Sequence, residues 1–68
     1  TDTVFFDGVV VRILPSSCVV RLDDSEEVVI PMSQVRNGLH SINEGEDVTL
    51  GVPRWLAEDR DIEYRETR

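Results

Sequence analysis

Runs of β-branched residues cut by turn signals constrain this chain more than any other feature. Residues 4–14 (VFFDGVVVRIL), 18–22 (CVVRL) and 27–31 (EVVIP) are rich in Val and Ile, and each run ends in turn chemistry. Pro15-Ser16-Ser17 follows the first, Asp23-Asp24-Ser25-Glu26 follows the second, and Pro31 closes the third by removing a ladder donor. This pattern predicts three strands in a meander. In the second, Cys18, Val20 and Leu22 share one face, with Val19 and Arg21 on the other. Val9, Val10 and Val11 are consecutive, so no single alternation fits the first run. A strand that curves at Gly8 and changes the face it buries would reconcile them.

Beyond residue 31 the pattern weakens into a connecting loop over 32–45. Ser33 is placed to cap one short turn running to Arg36, and Asn37-Gly38 and Glu44-Gly45 are turn signals. Residues 47–53 (DVTLGVP) put Val48, Leu50 and Val52 on one face, a fourth strand with the clearest period of two. Residues 54–61 (RWLAEDRD) carry helix formers with room for only about two turns, too few to hold alone. Trp55 and Leu56 are therefore expected to pin that turn, the tryptophan as core closing one end of the domain. Stacking of Trp55 on a base is the alternative role. Residues 62–65 (IEYR) alternate apolar and charged and predict a short fifth strand. Phe5 and Phe6 fall on opposite faces of a regular first strand, so one belongs to the core and the other is free for a contact.

Together these elements predict an all-β fold, a five-stranded barrel with one short helical turn before the last strand, and a single domain over residues 1–68. The expected core is Val10, Ile13, Cys18, Val20, Leu22, Val48, Leu50, Val52 and Ile62. A chain of 68 residues buries only about 60% of its unfolded surface, which excludes a large enzyme and a second core.

The chemistry-bearing residues are few. Cys18 is the single cysteine, so neither an internal disulfide nor a cysteine-rich zinc site forms, and the reducing cytosol is the default compartment. Cys18 lies on an apolar face, where a thiol packs as a small hydrophobe. His40 has no second ligand at metal spacing. No nucleophile elbow, phosphate loop, zinc-protease motif or carboxylate pair occurs, so no enzyme, cofactor or metal is expected. No apolar run approaches the roughly 18 residues of a membrane span, and the first residues (TDTVFFDG) lack the basic start and apolar stretch of a signal peptide. A soluble, cytoplasmic monomer is the expectation.

Charge bears most directly on function. Asp and Glu number 14 against seven cations, all of them arginine, for a net charge of −7. Such a field opposes nucleic acid at long range, although arginines gathered on one face still make a local patch. Arg12, Arg21 and Arg36 are the candidates, with scattered solvated charges as the plain alternative.

The segment GVVVRILPSSCVVRLDDSEEVVIPMS, with Gly45 before EDVTL and a terminal Ile62, Tyr64, Arg65, resembles bacterial translation initiation factor one and the related RNA-binding repeats of ribosomal protein S-one. The similarity lies in the glycine of the first strand, the Leu14-Pro15 exit, the acidic turn into a third strand ending near Ser33, and Arg36, and it covers most of the chain. It implies an OB-fold barrel that binds single-stranded RNA or DNA weakly across the second and third strands and adjoining loops. The implied contacts are Arg12, Val19, Arg21, Arg36 and His40. In the ribosomal repeats aromatic and histidine side chains stack bases, and the matching positions here are Val19 and Pro31.

Those replacements, the absence of lysine and the charge point to a second expectation. The same scaffold would act as an acidic protein-interaction adaptor or inhibitor docking on a basic protein surface in a nucleic-acid-processing or translation complex. Asp23, Asp24, Glu26 and Glu27 form the densest acidic patch and are the candidate docking residues, with solvated surface as the plain alternative.

Overall fold

Described over residues 2–37 and 42–68 by a computed structural model, the chain builds one antiparallel sheet of strand order β3-β2-β1-β4. The strands are β1 (Thr3–Ile13), β2 (Ser17–Arg21), β3 (Glu27–Pro31) and β4 (Asp47–Pro53). A 3-10 turn, Met32–Gln34, follows β3, and a short helix, α1 (Arg54–Asp59), follows β4. The first three strands form the expected meander. β1 is long enough to pair twice, with β4 along Thr3 to Val9 and with β2 along Val9 to Ile13.

Val4, Phe6, Gly8 and Val10 all face inward in regular alternation, so β1 does not change face at Gly8 as the sequence suggested. The change comes three residues later. Val10 pairs with Val20 but Arg12 pairs with Val19, so Val11 is an extra residue in a bulge. That bulge absorbs the three consecutive valines and turns Arg12 to the same outward face as Val19.

The core is Val4, Phe6, Val10, Cys18, Val20, Val28, Ile30, Leu50, Val52, Leu56, Ala57 and Ile62. Leu22 and Val48 are only partly buried against it. Ile13, expected in the core, pairs with the buried Cys18 but is 43% exposed because it is the last residue of β1.

Four strands rather than five are present among the described residues, and residues 62–65 contribute a single bridge, Phe5 to Arg65. The reason lies at the end of α1. Asp61 adopts φ 60°, and the N–H groups of Asp61 and Ile62 donate to the carbonyls of Glu58 and Ala57. This is a Schellman arrangement, closed by the apolar contact it usually carries, with both Ile62 and Ala57 buried. Ile62 is thereby committed to terminating the helix, and the chain reaches β1 only at Arg65. Ser33 does not cap the turn as expected but lies inside it, with Pro31 at the cap position and no side-chain cap bond.

Both outer edges of the sheet are partly occupied. Arg36 N–H donates to the Gly51 carbonyl of β4 and Asn37 Nδ2 to the Thr49 carbonyl, at 2.6 and 2.7 Å. Arg60 Nε reaches the Val29 carbonyl of β3 at 3.3 Å. Occupying edge carbonyls in this way blunts strand-to-strand association. Among the described residues, no helix is long and apolar enough to cross a membrane.

Candidate binding surfaces

Strand pairing brings three of the five candidate nucleic-acid residues together. Arg12 faces Val19 across the β1–β2 pair, Val19 faces Val29 across β2–β3, and Arg21 stands between Val9 and Glu27. The outward face of the meander is thus a row of valines flanked by Arg12 and Arg21, both exposed. Val29 is 47% exposed, and none of these rows contains an aromatic ring. Glu27 lies directly across from Arg21 on that face.

Arg36 is elsewhere. Its backbone is fixed to the outer edge of β4, and its side chain shares a shallow hollow with Pro53, Trp55 and Glu58. Pro53 pairs with Thr3, whereas Arg12 is nine residues further along β1, so the arginines sit at opposite ends of that strand. They do not form one continuous groove. His40 lies outside the described residues.

Trp55 is 58% exposed, contrary to the expectation that it closes the core. Successive helical residues are about 100° apart, so with Leu56 and Ala57 both turned inward, Trp55 is rotated out of the packed face.

Three arginines are held by the chain's own carboxylates. Arg54 binds Asp2 through Nε and Nη2 at 2.6 and 3.0 Å, binds Glu66, and donates to the Tyr64 hydroxyl oxygen at 3.1 Å. Its guanidinium carbon also lies 5.4 Å from the Tyr64 ring centre. The Arg54 guanidinium draws the carboxyls of Asp2 and Glu66 below their ordinary range, and its own pKa is raised by Glu66, then by Asp2. Arg65 grips Asp7 with two bonds of 2.9 and 3.1 Å, and Thr49 Oγ1 donates to the same carboxylate at 2.6 Å. Arg65 first, then Thr49, lowers the Asp7 pKa. Arg60 pairs with Asp59.

The acidic turn is exposed throughout, with Ser25 at φ 69° and Asp24 Oδ1 accepting from the Glu26 N–H at 3.1 Å. Asp23 and Asp24 line a hollow of about 440 Å³ together with Asp61 and Glu63. Phe5, Leu22 and Tyr64 and the Asp7–Arg65 pair also lie in its lining. Glu26 and Glu27 are not among the residues that line it. The sequence marks residues 23–27 and 58–63 as acidic, but nothing in either stretch signals that they meet. The turn at Asp61, which swings the tail back over β1, is what joins them.

Burial raises the Cys18 thiol pKa, which suits a packed side chain rather than a nucleophile. Among the described residues no three His, Cys, Asp or Glu side chains converge on a point that would hold a metal ion. Comparison with protein-family models, with curated proteins and with solved structures returns no match.

Proposed function

We propose that this chain is a non-enzymatic protein-interaction module, an acidic adaptor that engages a basic surface on its partner. The scaffold is read as OB-like, a reading supported by the antiparallel sheet and by the single bridge from Phe5 to Arg65. One observation carries the reading: the arginines are spent unequally with the carboxylates. Among the described residues, three of the seven arginines are neutralised by salt bridges within the chain, against four of the 14 carboxylates. The surface a partner meets is therefore acidic, and such a field accelerates association with a cationic protein while opposing a phosphate chain.

A second reading, weak binding of single-stranded RNA or DNA, is favoured by Arg12 and Arg21, which flank Val19 and make no salt bridge among the described residues. It is opposed by the lack, among the described residues, of an aromatic ring in the Arg12–Val19–Val29 and Val9–Arg21–Glu27 rows, since stacking contributes about 1–3 kcal/mol per base.

Affinity capture from extract with and without nuclease separates the two readings. A partner retained after nuclease treatment, released by added salt and rebinding directly when purified supports the adaptor. Loss of every partner on nuclease treatment, with direct oligonucleotide binding abolished by Arg12→Glu and Arg21→Glu together, replaces the adaptor with the nucleic-acid module.

A further inference from the structure

We infer that the hollow between β1 and the tail at residues 61–65 receives a cationic side chain, lysine or arginine, from a basic segment of the partner protein. This rests on the protein-interaction reading and gives it a site. The hollow, about 440 Å³, is large enough for a long side chain. Its lining combines the two kinds of group such a side chain needs. Phe5, Leu22 and Tyr64 in its lining offer apolar surface to a methylene stem, and Asp23, Asp24, Asp61 and Glu63 in the same lining offer carboxylates to a charged head.

The hollow already holds one guanidinium, since Arg65 binds Asp7 in its lining with two hydrogen bonds. The four lining carboxylates Asp23, Asp24, Asp61 and Glu63 are free of salt bridges among the described residues. One of them is also positioned in advance, since Asp24 Oδ1 accepts from the Glu26 N–H. Less side-chain freedom is then lost there on binding. Arginine and lysine over aromatic walls gain further from the ring faces.

Amide-resolved NMR titration of the intact chain tests this, with a capped peptide of alternating lysine and glycine as the probe. Shifts are expected to concentrate at residues 5–7, 22–24 and 61–65 and to vanish when the lysines are acetylated. Asp61→Asn with Glu63→Gln should weaken binding about fivefold, the effect of losing two exposed charge pairs. Asparagine tolerates the left-handed backbone at position 61, and an unchanged melting curve confirms an intact fold. Shifts shared evenly with Glu26, Glu27, Glu44 and Glu46, or parental affinity in the double variant, would overturn the hollow as the site while leaving the adaptor standing. If the peptide fails to bind at all and a single-stranded oligonucleotide binds instead, the adaptor and its site both fall.

Discussion

Gly8 and Val20 approach so closely across the β1–β2 pair that a Cβ built on Gly8 would lie 2.3 Å from Cγ1 of Val20. The Arg21 carbonyl oxygen would be 3.0 Å away on the same side. The glycine is therefore required by packing, since its position on β1 is otherwise regular. Gly8→Ala is expected to destabilise the fold by about 1–3 kcal/mol, the usual cost of overpacking. Urea denaturation reads this directly. Combined with Val20→Ala, the loss should be smaller than the sum of the two single losses, because the two changes share one clash.

Helix α1 buries Leu56 and Ala57 and leaves Trp55 turned to solvent. Leu56→Ala should cost about 2–5 kcal/mol, as expected for a fully buried leucine. Trp55→Ala should stay within about 0.5 kcal/mol. Denaturation followed by circular dichroism compares both, since the second variant lacks the only tryptophan. Equal losses would mean that Trp55 packs after all.

The strands were legible because β-branched runs and turn residues are local signals, and the inward sets of β2 and β4 followed from simple alternation. What escaped was set by contacts distant in sequence. Val9, Val10 and Val11 announce an irregularity but not its position, which depends on how β2 pairs. The tail at residues 62–65 has a strand-like pattern, yet the buried contact of Ile62 with Ala57 claims it for ending the helix. For the candidate site, the outward placement of Val19 and Arg21 followed from alternation in β2, whereas that of Arg12 depends on the bulge at Val11. The separation of Arg36 did not follow from the pattern either, because it depends on which edge of the sheet the connecting segment follows. The meeting of Asp23 and Asp24 with Asp61 and Glu63 was equally hidden, since it depends on a left-handed turn at a residue other than glycine.

Cys18 is fully buried in the native fold, and burial raises its pKa. Its thiol should resist iodoacetamide in buffer and react readily in denaturant. Modification in buffer should track the unfolded fraction. Rapid labelling of the folded chain would contradict the packing described for β2.

Asp2, Asp7 and Glu66 have carboxyls held below the ordinary range by their arginine partners. In acid the unfolded chain therefore takes up protons before the folded chain does. Their contribution is fully present above the unfolded carboxylate values, near pH 4, and is lost as pH falls through the lower folded values. Arg54→Met with Arg65→Met should flatten that part of the stability profile while changing little of its shape near neutral pH. Thermal melts between pH 7 and pH 2 measure the difference. An unchanged acid limb would show that these exposed pairs do not contribute.

The most direct measurement is a side-by-side titration of the intact chain, at low and at raised salt, with a fluorescent lysine-glycine peptide and with fluorescent single-stranded RNA and DNA. The peptide is expected to bind at low salt, to weaken as salt screens the acidic surface, and to outcompete both oligonucleotides. Tighter binding of either oligonucleotide, lost on Arg12→Glu and Arg21→Glu together, would contradict the acidic adaptor.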